Sequence, residues 1–93
     1  MYHPKLESYA DRLPDELLPL QETLAEHIHD GWAAGRLSEG WRYGPTLDEI
    51  LRTHPSLIPY KQLPEAEKEY DRRTAAVTIS CILENGYHIE PTR

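Results

Sequence analysis

Trp32 and Arg36 are the pair of side chains in this sequence best suited to hold a flat, anionic ligand. They stand one helical turn apart in a segment with helical periodicity. An aromatic ring is a stacking partner for any base, and a guanidinium beside it suits a phosphate or a ribose. A Trp ring packed in the core and an Arg held in solvent or in an ordinary ion pair fit the same spacing. Both interpretations stay open at this point.

A second aromatic pair lies in the segment Ser-Glu-Gly-Trp-Arg-Tyr-Gly-Pro, residues 38–45. Its glycines and its proline exclude a long regular element, and a turn there would send the two rings to different sides. We therefore expect Trp41 in the core and Tyr43 in a groove. Tyr60, which follows Pro59 in an extended segment, is a further candidate of the same kind.

Patterns for catalysis and metal binding are missing from the sequence. His27 and His29 stand two apart, and side chains with that spacing on a helix diverge by about 200°, so they do not ligate one ion. We expect His29 instead to donate a ring hydrogen bond that orients the following loop. Cys81, the single cysteine, falls on an apolar helix face, where we expect a buried and inert thiol. The expectation is therefore a protein that is not an enzyme, with no metal and no cofactor.

Composition narrows the class of protein. The chain has 93 residues, a formal net charge of −6, two Trp, six Tyr and no Phe. That length makes one domain with a thin core, for which a second copy is a reasonable partner. The negative charge argues against a nucleic acid polymer as partner. No apolar run approaches the roughly 20 residues of a membrane span and no signal peptide is visible, so we expect a cytoplasmic protein with no membrane partner.

Two long helices are expected to position these side chains. Pro14 opens the first helix, which we expect to end at Gly35 or shortly after. Pro64 opens the second, and Gly86 closes it where a left-handed residue is wanted. Residues 1–13 are expected to form a mostly extended N-terminal arm, and residues 14–93 a single domain. The apolar stripe of the first helix recurs every fourth residue and consists of Leu20, Leu24, Ile28 and Trp32.

Shorter elements lie between and after the helices. Thr46 to Glu49 matches a capping box and predicts a short helix over about residues 47–53, which His54-Pro55 ends. Residues 57–60 are a strand candidate limited to a sheet edge by Pro59. Residues 87–90 are a second strand candidate, able to pair with 57–60 or with another chain.

Five blocks of the sequence follow one another in a recognisable order. They are Leu-Ala-Glu-His-Ile-His-Asp-Gly-Trp at 24–32, Gly-Trp-Arg-Tyr-Gly-Pro at 40–45, His-Pro-Ser-Leu-Ile-Pro-Tyr at 54–60, Leu-Pro-Glu at 63–65 and Gly-Tyr-His-Ile-Glu-Pro at 86–91. In this order and spacing they resemble the ryanodine receptor repeat, the RyR domain. The resemblance covers the chain from about Leu13 onward and implies a mainly α (α+β) fold. It implies two long antiparallel helices with a short helix and short β segments.

The resemblance also implies a ligand groove. In the receptors such domains occur as tandem pairs, understood to bind an adenine nucleotide between two copies, with the Trp of a His-x-x-Trp step near the base. Here that step is His29 to Trp32. The sequence looks like a single, stand-alone copy of the bacterial or phage type, which would need a homodimer to rebuild the cleft. Family position further implies that Tyr70, Asp71 and Arg72 lie near the groove, with Asp71 accepting from an adenine amino group or a ribose hydroxyl.

We therefore expect a small-ligand binding module that holds a nucleotide, or a signalling molecule derived from one, in an aromatic and basic groove at a homodimer interface. Its role would be sensing or sequestration. The alternative is a protein-interaction or scaffold module that uses the same groove without a small-molecule ligand. The expected ligand-binding residues are Trp32, Arg36, Tyr43, Tyr60, Tyr70, Asp71 and Arg72.

Overall fold

A computed structural model describes residues 1–4 and 13–92 of the chain. A 3-10 turn at Asp15–Leu17 leads into helix α1, Leu18–Ser38. Strand β1 is Arg42–Tyr43, strand β2 is Thr53–His54, a second 3-10 turn is Tyr60–Gln62, and helix α2 is Glu65–Glu84. The mainly helical α+β class is confirmed. The predicted N-terminal arm falls largely on residues 5–12, which lie outside the described residues.

Helix α1 begins and ends at residues that the local chemistry accounts for. Pro19 lies in its first turn, where a missing N–H breaks no intrahelical hydrogen bond, so this proline starts the helix and does not kink it. The helix continues through Gly35 to Ser38, whose hydroxyl donates to the Gly35 carbonyl at 2.7 Å. The chain then turns at Gly40, which has a φ of +88° that favours glycine.

Helix α2 has the termini that the sequence predicts. Pro64 precedes it and Glu65 and Glu67 lie in its first turn, where carboxylates oppose the positive end of the helix dipole. Asn85 caps the last turn, and Gly86 follows with a φ of +87°. The left-handed closure predicted at Gly86 is confirmed.

The two helices pack antiparallel. Gln21, near the start of α1, donates from Nε2 to the carbonyl of Arg72 at 3.0 Å. Trp32, near the end of α1, shares a pocket with Leu63 and Glu67 at the start of α2. The most deeply buried side chains of the helices are small or medium in size, which lets the two backbones approach; they are Ala25, Ala75, Ala76 and Ile79. The predicted apolar stripe of α1 is only half-buried, because Ala25 and His29 occupy the fully buried positions beside it.

The connection between the helices contains a small parallel sheet in place of the predicted short helix. β1 pairs with β2 so that Arg42 faces Thr53 and Tyr43 faces His54. The helix predicted over residues 47–53 is wrong. The Asp48 carboxylate accepts hydrogen bonds from the N–H groups of Ile50 and Leu51, both at 2.9 Å, so its side chain closes a turn where the capping box would have started a helix.

Three further expectations are also wrong. Residues 57–60 are not a strand, because Tyr60 begins a 3-10 turn and packs with Ala25 and Leu63 in the core. Residues 87–90 form no regular element. Cys81 is exposed, since its turn of α2 buries Ile79 and Ser80 instead. No helix in the described ranges is long and apolar enough to cross a membrane.

Candidate functional site

A pocket of about 280 Å³ opens where α1, β2 and α2 meet. Helix α1 contributes an imidazole and an indole, and the β2 region contributes a second imidazole and a hydroxyl. Helix α2 contributes two carboxylates and a phenol, and the segment before it contributes an apolar side chain. The lining residues are His29, Trp32, His54, Ser56, Leu63, Glu67, Tyr70 and Asp71.

His29 lies at the base of this pocket and is only 4% exposed. Its Nε2 atom lies 2.7 Å from the carbonyl oxygen of Ile58. Because a carbonyl only accepts hydrogen bonds, Nε2 must carry a hydrogen. The expected hydrogen-bond donation by His29 is confirmed, but the loop that it orients is the one after β2 and not the one after α1.

Asp71 and Glu67 occupy the α2 side of the pocket, one helical turn apart. Asp71 Oδ2 lies 4.0 Å from His29 Nδ1, which is too long for a hydrogen bond. Burial raises the pKa of the Asp71 carboxyl; His29 opposes this shift and the Glu67 carboxylate adds to it. Glu67 differs from Asp71 in that the Ser56 hydroxyl donates a hydrogen bond to its Oε1.

An uninterrupted row of rings runs from the pocket to a guanidinium. The Trp32 ring lies 5.6 Å from the His29 ring and contacts the His54 ring edge-on, with centroids 4.9 Å apart. The His54 ring lies 6.4 Å from that of Trp41, over which the Arg36 guanidinium sits at 5.0 Å. Trp41, expected in the core, is half-buried beneath Arg36.

Three of the seven predicted ligand-binding residues come together in this pocket. Trp32, Tyr70 and Asp71 all line it, and Tyr70 remains 75% exposed at its edge. Arg36 lies at the far end of the ring row, 3.8 Å from Glu39. Tyr43 points into solvent from β1, where it is 57% exposed.

Tyr60 and Arg72, the other two predicted residues, belong to the packing of the fold. Tyr60 is 3% exposed and donates its hydroxyl to Glu22 at 2.9 Å, and burial raises the pKa of this phenol to about 12. The Arg72 guanidinium is bound by three carboxylates, and its hydrogen bonds lower the pKa of two of them, Glu22 and Glu65. Its Nε donates to Glu22 at 2.7 Å, and its Nη1 donates to Glu65 at 2.9 Å and to Glu69 at 2.8 Å.

Comparison with protein families matches the chain to the RyR domain over residues 2–91. The chain belongs to the RyR domain family. The resemblance read from the five sequence blocks is thereby confirmed. The match spans both helices, the small sheet and every residue that lines the pocket.

Sequence reasoning missed four polar or apolar members of the pocket of this RyR domain: His54, Ser56, Leu63 and Glu67. One signal was available for Glu67, because residues 67 and 71 are carboxylates at i, i+4 and so lie on one helical face. His54 and Ser56 had no such signal, since only the pairing of β2 with β1 sets their position.

The chemistry of the pocket is aromatic and acidic. The described residues that line it include no Lys and no Arg. In the described part of this RyR domain, no three His, Cys, Asp or Glu side chains converge as a metal site. Such a lining suits a planar group that carries hydrogen-bond donors, with rings to stack on and carboxylates to accept from it.

Proposed function

We propose that this RyR domain is a small-ligand binding module, whose pocket takes the base of a nucleotide or of a signalling molecule derived from one. The observation that carries the proposal is the meeting of Trp32, Tyr70 and Asp71 around one opening of about 280 Å³. That volume lies just below the roughly 300–1,000 Å³ of sites that enclose a drug-sized ligand. The pocket is therefore sized for the ring system of a nucleotide, and the sugar and phosphate would lie outside it.

The phosphate end of the ligand would be met by Arg36. Arg36 and Arg52 line a second opening, of about 550 Å³, together with Glu39 and Trp41. The ring row through Trp32, His54 and Trp41 connects the two openings. A guanidinium on an aromatic ring keeps its donors available for the two oxygens of a phosphate. Under this proposal the groove is acidic where it holds the nucleobase and basic where it holds the phosphate.

A second copy of the domain would complete the groove. The exposure of Tyr70 at the pocket edge leaves one face of a bound ring uncovered, and a homodimer would cover it. Sedimentation velocity over a range of concentrations, with and without nucleotide, tests the dimer, and a monomer under every condition would rule it out.

The biological role under this proposal is sensing or sequestration of the ligand, without catalysis. We propose that the protein is located in the bacterial cytoplasm, including that of a phage-infected cell. The single exposed thiol at Cys81 is compatible with such a reducing compartment.

Titration calorimetry of a nucleotide panel tests the binding function, with Tyr70→Ala as the site variant and Tyr87→Ala as its matched control. Both tyrosines are largely exposed, at 75% and 67%, so neither substitution should unfold the protein. Loss of one stacking ring costs about 1–3 kcal/mol, so Tyr70→Ala should raise Kd roughly 5- to 150-fold and Tyr87→Ala should leave it unchanged. Absence of binding by the wild type at millimolar nucleotide, or equal losses in the two variants, would remove the proposal.

A protein-interaction module is the second candidate, and one observation favours it. The turn between β1 and β2 exposes Ile50 at 93% and both Leu47 and Leu51 at 58%. Contiguous exposed apolar side chains are typical of interaction surfaces and uncommon on the rest of a protein surface. A nucleotide panel that produces no heat at all, together with capture of a defined protein partner that an Ile50→Asp variant loses, would favour this candidate.

A further inference from the structure

The pocket where α1, β2 and α2 meet has two carboxylates, and its described lining includes neither Lys nor Arg. Glu67 and Asp71 lie one helical turn apart on α2. Burial raises the pKa of the Asp71 carboxyl, His29 opposes this shift, and the Glu67 carboxylate adds to it. Two carboxylates that repel each other on one wall of a cavity are stabilised by a positive charge placed beside them.

The two imidazoles of the pocket do not reverse its negative charge. The backbone N–H of Ser56 donates to Nδ1 of His54 at 3.0 Å, so Nδ1 holds a lone pair and the ring is neutral in this geometry. His29 Nδ1 lies 4.0 Å from Asp71 Oδ2 and forms an ion pair with it when the ring is protonated. A protonated His29 offsets one of the two carboxylates, and a neutral His29 offsets neither. The pocket is therefore negative with either form of this ring.

Aromatic rings from both helices add to the attraction of the pocket for a cation. Trp32 comes from α1 and Tyr70 from α2, and both line the cavity. The face of an aromatic ring is the negative part of its quadrupole, so cations bind over it. A flat cation gains stacking as well as this electrostatic attraction, whereas a compact ammonium gains only the attraction. The lining therefore favours a planar cation.

The neighbouring opening has the opposite charge. Its lining contains two arginines and one glutamate, Arg36, Arg52 and Glu39, beside the Trp41 ring. The ring row through His54 and Trp41 connects this opening to the acidic pocket. A ligand with a cationic ring at one end and a phosphate at the other matches both openings. A ligand with a neutral base matches only the basic one in charge.

We infer that the acidic pocket takes a planar heteroaromatic cation, such as an N-alkylated pyridinium or an N-methylated purine, packed against Trp32 and Tyr70 beside the two carboxylates of α2. The inference rests on the proposed function and names the chemical class of the base that the same pocket takes. Stacking alone tolerates every base, because every base has an aromatic face. The attraction to Glu67 and Asp71 depends on charge and so provides the selectivity.

The probe pair is 1-methylnicotinamide and 3-methylbenzamide, which share one shape and differ by the positive charge of the ring. Binding is followed by NMR at the indole N–H of Trp32. The wild type should bind the cation at least about tenfold more tightly than its neutral analogue. This preference should shrink as sodium chloride is added, because salt screens the carboxylates.

A double variant and a matched control test where the selectivity arises. Glu67→Gln with Asp71→Asn keeps the size of both side chains and removes both charges, so the preference should fall to about twofold or less. Glu84→Gln removes a charge from an exposed position at the other end of α2, roughly 25 Å along the helix from Glu67. It should leave the preference unchanged.

Two results with these probes would overturn the inference: equal binding of the cation and its neutral analogue, or a preference that the double variant retains. Tetramethylammonium bound as tightly as 1-methylnicotinamide would overturn its planar part.

Nucleotide probes separate the inference from the proposed function. Oxidised nicotinamide mononucleotide carries a pyridinium and a phosphate, and its tighter binding than adenosine monophosphate would support both. Binding of adenosine monophosphate without binding of either pyridinium would overturn the inference and leave nucleotide binding standing. Selective binding of 1-methylnicotinamide, with neither nucleotide bound, would support the inference and remove the nucleotide proposal. No binding of any probe would remove both.

Discussion

Arg72 and Asp71 are neighbours on α2, yet the fold treats their charges in opposite ways. Arg72 donates to three carboxylates, one on α1 and two on its own helix. The side chain of Asp71 is 20% exposed, faces an imidazole nitrogen of His29 at 4.0 Å and lines the pocket. The charge of Arg72 is held between the helices, whereas the carboxylate of Asp71 faces the pocket.

The difference separates a residue that builds the fold from one that can act on a ligand. Arg72 and Tyr60 both bind Glu22, so a single carboxylate ties α1 to α2 and to the 3-10 turn. This tie helps to set the rotation of α2 and with it the face that Asp71 presents to the pocket. Burial raises the pKa of the Asp71 carboxyl, because a carboxylate taken from water is destabilised.

Replacing His29 changes both the packing of the fold and the pocket, so it should have the largest effect on the free energy of unfolding. His29→Ala leaves the Ile58 carbonyl without its donor and opens a cavity beside Trp32 and Tyr60. The expected loss in the free energy of unfolding is about 3 kcal/mol, measured by urea denaturation. His29→Gln, which keeps a donor at that end, should recover part of the stability. A His29→Ala protein as stable as the wild type would contradict the role assigned to this ring.

Removing Arg72 tests the structural side alone. Arg72→Met keeps the length of the side chain but leaves Glu22, Glu65 and Glu69 without their shared partner. Exposed pairs contribute little individually, so we expect a loss of about 1–2 kcal/mol that becomes smaller at high salt. Ligand affinity should not change below the melting temperature. A large drop in affinity with full stability would instead make Arg72 a binding residue, as the sequence predicts.

Neutralising Asp71 tests the binding side alone and should have the smallest effect on stability. Burial raises the pKa of Asp71 in the folded state, so the folded protein binds more protons than the unfolded chain between the usual Asp pKa and the raised value. Stability contributed by this group therefore falls as pH rises through that window. Asp71→Asn should remove this fall and make the protein more stable than the wild type at neutral pH, while ligand binding weakens. Thermal melts of both proteins between pH 3 and 7 check the sign, and a loss of stability in the variant would refute it.

Local signals predicted the parts of the fold that depend on local chemistry. Pro14 precedes the 3-10 turn that leads into α1, and Pro64 and Gly86 flank α2, because their backbone constraints act within a few residues. The capping box at Thr46 failed for an equally local reason, since the Asp48 carboxylate accepts from the N–H groups of Ile50 and Leu51 and closes a turn there. Cys81 was misplaced because the periodicity of α2 leaves several apolar residues per turn, and only packing against α1 decides which of them are buried.

The expected site residues divide into those that line the pocket and those that the fold uses in its own packing. Trp32 and Asp71 could be named from the sequence through the family resemblance, and both line the pocket. Arg72 and Tyr60 were named by the same reasoning, and the fold uses both in its own packing. Residue type and family position give the same signal for a charge that binds a ligand and for one that binds a neighbouring helix. Only the three-dimensional arrangement of partners separates them.

The sequence by itself determined the family, the two long helices with their termini, and a surplus of Trp and Tyr rings available for stacking. Tertiary structure alone decided that residues 29, 54 and 71 meet in one pocket, and that the Nε2 hydrogen of His29 points to the Ile58 carbonyl while its Nδ1 faces Asp71. The physical reason is that helix signals act over one or two turns, whereas this pocket depends on hydrogen bonds and packing between segments far apart in the chain.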